Sequence, residues 1–218
     1  NDKRYNFGLP LTGKNEINNA NYLWMQIFAS ALSPRGRAGF VMANSAGDAG
    51  NSEKEIRKKM IDAGLVDMVI SVGTNMFLNA PLSCTLWFFD KGKAGTSRQN
   101  QVLFINAQEI FTELDRAHST WTDEQIQEIA SVVRRYRSED GYGKYKDIRG
   151  RCKIASLDEI HANEYSLNPG RYVEIIDRPL DNVDFESRMK ELMGEFTVLT
   201  SEAHKLEKKI TEDWNEVL

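Results

Sequence analysis

The chain has 218 residues, 41% of them hydrophobic and 28% charged, with a formal net charge of −4; this is enough apolar material for one large core or for a domain with an appendage. No run of about 18 apolar residues is present, which excludes a membrane-spanning helix, and no charged-then-apolar leader pattern is visible. Cys84 and Cys152 are the only cysteines, so a disulfide framework is excluded and buried or incidental thiols in a reducing, cytoplasmic setting are expected, while His118, His161 and His204 lack metal-ligand spacing.

The opening segment, Asn1 to Asn19, is polar and contains glycine, and with Asn rather than Met in first place it reads as part of something longer. From Asn19 to Leu32 the apolar side chains Tyr22, Leu23, Met25, Phe28, Ala29 and Leu32 recur at helical periods, with Pro34 and Gly36 as the stop. The apolar run from Arg37 to Asn44 predicts a buried strand. A small-residue loop over 45–51 follows, and Ser52 with Glu55 three residues on has the pattern of a capping box, for a helix reaching Ala63 and ended by Gly64. Further strands are predicted over Leu65–Val72, Thr85–Phe89 and Val102–Asn106. Helices between strands imply right-handed crossovers and a mainly parallel sheet. Val72 and Thr85, joined by a helix-free loop containing Pro81, are expected as antiparallel neighbours at the sheet edge. Trp87, Phe88 and Phe89 are consecutive, so both faces of their strand receive aromatics and packing accounts for them.

Thr122 and Gln125 form a second capping-box pattern, opening an amphipathic helix through Ile126, Ile129, Ala130 and Val133 to Tyr136, and Ser156 to Ile160 starts another short helix. Between them Arg134, Arg135, Arg137, Lys144, Lys146, Arg149, Arg151 and Lys153 outnumber Glu139, Asp140 and Asp147, with Tyr136, Tyr142 and Tyr145 interleaved. Such a mixture suits a phosphate-facing surface; a solvated helix end followed by a polar loop has the same composition.

In the last segment Phe185, Met189, Leu192, Phe196, Leu199, Ala203, Leu206 and Ile210 alternate at spacings of four and three. That averages 3.5 residues and keeps a narrow apolar seam on one side of a supercoiled helix, which predicts a coiled coil whose partner lies in this chain or another. A terminal helix braced on its own domain is the other reading. Residues 181–218 hold ten acidic and five basic side chains, so DNA contact by this helix is not expected.

The order helix, strand, helix and closing hairpin fits the second half of a doubly wound domain. No Gly-x-Gly-x-x-Gly loop, no Walker-type lysine loop and no ribose-binding acid after a first strand is present. Several blocks carry a resemblance: Asn18-Asn-Ala-Asn-Tyr-Leu-Trp-Met-Gln26, Leu32-Ser-Pro-Arg-Gly-Arg-Ala-Gly-Phe-Val-Met-Ala-Asn44, Glu55-Ile-Arg-Lys-Lys-Met60, Phe77-Leu-Asn-Ala-Pro-Leu-Ser-Cys-Thr-Leu-Trp-Phe-Phe89, Val102-Leu-Phe-Ile-Asn-Ala107 and Tyr165-Ser-Leu-Asn-Pro-Gly-Arg-Tyr172. In this order they resemble the modification (methyltransferase) subunit of type I restriction-modification systems.

The resemblance implies an α/β fold: the distal half of a doubly wound, Rossmann-like methyltransferase sheet over 1–107, a small helical bridging region over 108–180 and a coiled-coil docking helix over 181–218. It implies transfer of a methyl group from S-adenosylmethionine to the exocyclic nitrogen of adenine in double-stranded DNA. The implied partners are a specificity subunit, a restriction subunit and a second methyltransferase subunit. The family's Asn-Pro-Pro-Phe motif is absent, since the one Asn-Pro pair, Asn168-Pro169, is followed by Gly170; the chain is therefore expected to begin after the catalytic motif and to be inert alone. Phe77 and Asn79 match the segment at the rim of the target-base pocket. An aromatic ring there would replace stacking lost when the base leaves the duplex, whereas the packing alternative has Phe77 covering the sheet edge and Asn79 satisfying the turn before Pro81. Arg134, Arg135, Arg137, Lys144, Lys146, Arg149 and Arg151 are the expected contacts to the DNA backbone. Met189, Leu192, Phe196, Leu199, Leu206 and Ile210 are the expected docking seam, since the family's last helix packs on the specificity subunit. A noncatalytic interaction module, or a fragment of another doubly wound transferase or dehydrogenase, remains as an alternative.

Overall fold

The computed structural model describes residues 2–174 and 185–217, with side chains as far as Trp214. Contacts divide the chain into a unit over 1–176 and a unit over 177–218.

The first unit begins with helices α1 (Asn21–Ala31) and α2 (Asn51–Asp62) around strand β1 (Arg37–Ala43), continues through β2 (Val66–Val72), β3 (Cys84–Asp90) and β4 (Gln101–Ala107), and then forms a small hairpin, β5 (Thr112–Glu113) and β6 (Ser119–Thr120). Helix α3 (Asp123–Tyr136), strand β7 (Cys152–Ser156) and helix α4 (Leu157–Ala162) complete it. Five strands make one sheet in the order β1-β3-β2-β4-β7. Among the described residues the outer edge of β1 has no neighbour.

The sheet departs from the expected mainly parallel one, because only β2 and β4 pair in parallel while β1/β3, β2/β3 and β4/β7 are antiparallel. Two features of the chain path explain this. The helix-free loop after Val72 turns β3 back, and β3 inserts between β1 and β2 instead of lying at the edge. β1 and β2 still run in the same direction, as their α2 crossover requires, but they are not adjacent. After α3, residues 137–151 return along the sheet, which cancels that crossover and makes β7 antiparallel to β4. β7 was not predicted as a strand, and with it the sheet extends past residue 107 into the expected bridging region.

Alternation places Trp87, Phe89, Val102 and Phe104 on one face, buried under Tyr22 and Met25 of α1, Ile56 and Met60 of α2 and Ile160 of α4. Met68, Ile70, Leu103 and Ile105 face the other way, under Ile129 and Tyr136 of α3, with Leu86 and Phe88 half-covered. The consecutive aromatics thus serve both faces. The cap of α3 forms as read: the Thr122 hydroxyl accepts from the Gln125 N–H, and the Gln125 side chain accepts from the Thr122 N–H. The Ser52/Glu55 box does not form, because the Ser52 hydroxyl donates to the Leu11 carbonyl and Gly50 takes the N-cap position. Gly64, at φ +66°, ends α2 as predicted.

The amino end of the sheet is closed by a buried charge cluster. Asp67 and Asp90 are fully buried. Arg98 bridges them at 2.5 and 3.2 Å, Arg137 reaches Asp67 at 3.0 Å and Arg37 reaches Asp90 at 3.0 Å. Burial alone would raise the Asp90 carboxyl, but Arg37 and Arg98 outweigh it and hold it below the usual carboxylate range. Lys93 is buried beside them and donates to the carbonyls of Val66 and Gln101 at 2.5 and 2.7 Å.

In the second unit α5 (Phe185–Val217) is a single helix. Its seam residues Met189, Leu192, Phe196, Leu199, Leu206 and Ile210 are all exposed, as are Met193, Val198 and Trp214. Met193, next to Leu192, widens the apolar side beyond a strict seam, whereas Val198 falls on another face of the helix. The Pro179 break and the expected 180/181 boundary lie outside the described residues.

Burial pushes the Lys93 ammonium down to about 8, with the charge of Arg98 acting in the same direction and the two carboxylates opposing it. Between pH 8 and the ordinary lysine value of 10.5 the unfolded chain binds the proton more tightly, so the contribution of Lys93 to stability rises with pH across that window. Urea unfolding should show the chain gaining on a Lys93→Met variant between pH 7 and pH 9.5. A difference that does not change with pH would contradict this assignment.

Candidate functional site

Because β1, β2 and β4 run in one direction, their carboxyl ends share one end of the sheet. Three loops emerge there, over 44–50, 73–83 and 108–122. Ligands of open α/β sheets bind at this end.

The loop over 73–83 is fastened on every side. A side chain at Gly73 would place its Cβ 2.7 Å from the Gln108 carbonyl, so glycine allows the loops after β2 and β4 to touch. Asn75, at φ +61°, donates from its backbone to the Pro81 carbonyl at 3.2 Å and accepts from the Ser119 N–H at 2.8 Å, which ties the β5/β6 hairpin to the loop. The Ala80 N–H donates to the Phe77 carbonyl at 3.1 Å and closes a turn with Leu78 and Asn79 at its tip. Asn44 donates to the Ser83 hydroxyl at 2.6 Å, joining the end of β1 to the same loop.

Phe77 is half-buried and lines a cleft of about 220 Å³ with Val72, Met76, Thr120, Trp121 and Ile126. Trp121 is held in place by its indole N–H, which donates to the Ile110 carbonyl at 2.6 Å. Asn79 is exposed at the turn tip, and the turn itself is closed by backbone groups.

The loop over 44–50 gathers residues that are far apart in sequence. Ser166 donates to Asp48 at 2.5 Å, Asn168 donates to its other oxygen at 3.0 Å, and Arg171 lies 3.2 Å away. Burial raises the Asp48 carboxyl, while the Ser166 and Asn168 hydrogen bonds and the Arg171 charge prevail and leave it below its ordinary value. Arg57, buried, donates to the carbonyls of Ala49 and Tyr165 at 2.7 Å each and to the Tyr22 hydroxyl at 3.1 Å, which itself donates to the Ala46 carbonyl. Glu53 accepts from Asn18 and Asn19 at 3.2 and 2.8 Å. The blocks around residues 18, 44, 57 and 166 thus meet in one place. Sequence reasoning missed Asp48, Ser166 and Arg57 as a group; the only trace was that these residues lie in or beside the blocks quoted above.

The basic stretch does not form one patch. Arg137 is withdrawn from the expected DNA contacts, since its guanidinium is engaged by buried Asp67 at the amino end of the sheet. Arg134 donates to the Tyr142 hydroxyl and lies over its ring, and Arg135 donates to the Tyr142 carbonyl. Lys144, Lys146, Arg149 and Arg151 are exposed. Arg149 and Arg151 come just before β7, whose start pairs with the end of β4, so they lie at the carboxyl end. They face Glu174 and Glu128 at 3.1 and 3.3 Å, surface pairs that contribute little.

Loops gathered at the carboxyl ends of β1, β2 and β4, with helices on both faces of a mixed sheet, define an open, Rossmann-like α/β domain. Residues 1–179 match the N-6 DNA methylase family, and the chain belongs to it. It is 39% identical over 194 residues to the type I restriction enzyme MjaIX methylase subunit of Methanocaldococcus jannaschii, covering 89% of this chain and 34% of the relative. To the HindI methylase subunit of Haemophilus influenzae it is 33% identical over 210 residues, covering 96% and 45%. Among solved structures, the type I restriction-modification system methyltransferase subunit from Streptococcus thermophilus aligns with a TM-score of 0.65 at 29% identity, over 79% of this chain and 34% of that one. The chain spans between a third and a half of the length of these relatives.

Replacing Arg57 by Met would leave the Ala49 and Tyr165 carbonyls without their buried donor, at about 1–3 kcal/mol per group. The melting temperature should fall by several degrees. An unchanged melting temperature would mean that water substitutes for the guanidinium and that the loop over 44–50 does not depend on it.

Proposed function

We propose that this chain is the distal part of a type I restriction-modification methyltransferase subunit that, as a whole protein, transfers a methyl group from S-adenosylmethionine to the exocyclic nitrogen of adenine in double-stranded DNA in the cytoplasm. Family membership supports the chemistry. The observation that carries the site is Phe77, held on a fastened loop at the carboxyl end of the sheet with its ring bordering a cleft. A target base must leave the stack before its amino group can be reached, and an aromatic face replaces part of the stacking it loses. Asn79 stands beside it at the turn tip. Lys144, Lys146, Arg149 and Arg151 supply sequence-independent contacts to phosphates, while Arg134 and Arg135 hold Tyr142 in place.

The residues of this chain do not make the cofactor site. A bound adenosyl group is commonly held by a carboxylate that accepts from its ribose hydroxyls, and in the loop after β1 and at the start of α2 the carboxylates Asp48 and Glu53 are already taken up by Ser166, Asn168, Arg171, Asn18 and Asn19. In this reading S-adenosylmethionine is bound by the rest of the subunit, supported by the engagement of Asp48 and Glu53 with their neighbours, and this chain alone is expected to be inert. The partners are a specificity subunit, which selects the DNA sequence, a restriction subunit and a second methyltransferase subunit. The exposed seam of α5 suits the first of these, because an apolar stripe on a single helix is stable only when another helix covers it.

In the full-length complex, Phe77→Ala should lower methylation about 10- to 100-fold, in line with about 1–3 kcal/mol of base stacking, and change DNA affinity far less. Equal loss of both, or loss of neither, would assign Phe77 to packing. Replacing Leu199 and Leu206 by Asp should abolish association with the specificity subunit in a pull-down, since a partner helix would have to desolvate both charges. A complex that survives the double substitution while the isolated chain melts at a lower temperature would make α5 an intramolecular brace.

A further inference from the structure

We propose that Leu78 is the wedge that enters the DNA base stack when the target adenine leaves it; the inference rests on the reading of Phe77 as the base-stacking ring. Leu78 is 79% exposed, and Leu82 on the same loop is 75% exposed. A single exposed leucine needs no explanation, but this one stands at the tip of a turn that is closed rather than loose. The Ala80 N–H bonds the Phe77 carbonyl across the turn, and the Asn75 N–H bonds the Pro81 carbonyl below it. The same loop is tied to the β5/β6 hairpin through Ser119 and to β1 through Asn44. A side chain presented on such a support does not fold back into the surface, so it can press into a partner with little further ordering.

Phe77 and Leu78 are successive residues, with the first half-buried along the cleft and the second pointing into solvent. A base received on the Phe77 side would therefore leave its gap in the duplex on the Leu78 side. Proteins that open a base step insert apolar wedges of this kind, leucine among them. The turn closes through backbone groups and not through the Leu78 side chain, so truncation at this position is compatible with folding.

The test uses the full-length complex and two duplexes that carry its recognition site. In one the target adenine is paired with thymine; in the other it faces an abasic position and needs no help to leave the stack. Leu78→Ala should slow single-turnover methylation of the paired target about 10-fold or more, the order expected when an unpairing cost of a few kcal/mol is only partly offset. On the abasic-opposed target it should run at the wild-type rate. Leu78→Met, which restores an apolar probe of similar reach, should recover most of the loss. Phe77→Ala should be slow on both duplexes, because a stacking face is needed however the base was freed. If Leu78→Ala is slowed equally on both duplexes, or on neither, the wedge assignment is overturned. If Phe77→Ala is fast on both, the reading of Phe77 fails independently of Leu78.

Discussion

Arg98 lies between two fully buried carboxylates, Asp67 and Asp90, and the rest of the first unit depends on that bridge. Asp67 is the second residue of β2 and Asp90 the last of β3, so one guanidinium fixes the register of the central antiparallel pair from its closed end. Arg137 brings the end of α3 to the same point and Arg37 brings the start of β1. Removing one partner from such a cluster typically costs about 3–5 kcal/mol, because a buried charge is left without its counterpart. With four elements clamped at the amino end, the carboxyl end can carry long loops without loss of register.

The opposite end is organised differently. There the loop over 73–83 is held by neutral hydrogen bonds between backbone groups and by Asn44 and Ser83, while the loop over 44–50 is held by the buried Arg57 and by Asp48 with Ser166, Asn168 and Arg171. These contacts are short and individually modest. The loop over 73–83 is fixed by several modest ties distributed along it rather than by one buried ion pair. The division of labour agrees with the general behaviour of open α/β sheets and with membership in a family that acts on DNA.

Much of this was legible in the sequence, and the failures have identifiable causes. Periodicity located α1, α2 and α3, and the Thr122/Gln125 box formed because Thr122 stands at the N-cap itself, where its hydroxyl oxygen accepts from the Gln125 N–H. Ser52 carried the same signal, but α2 starts before it, with Gly50 at the N-cap, so Ser52 lies inside the first turn and its hydroxyl bonds the Leu11 carbonyl instead. β7 was illegible because Cys152 to Ser156 is short and carries Lys153, which pairs with Glu159. Its antiparallel direction depends on a return path that no local pattern encodes. The same return path split the basic stretch: Arg137 ends at the amino end of the sheet, while Arg149 and Arg151, which look contiguous with it in the sequence, come to the carboxyl end. Phe77 was placed correctly in a loop between two strands, whereas the Asp48 and Ser166 contact joins residues 118 positions apart and could be seen only once the blocks around it had come together.

The outer side of β1 has a consequence for handling the chain. Over seven residues it carries backbone donors and acceptors with no neighbouring strand among the described residues, and Val41 on it is 47% exposed. It has no proline, no bulge and no lysine, the devices with which exposed edges are usually blunted. An edge of this kind adds any extended segment that reaches it, another copy included. Purified on its own, this chain would be open to strand-to-strand association along that edge, and the position to guard is Val41, where a single lysine would blunt the template.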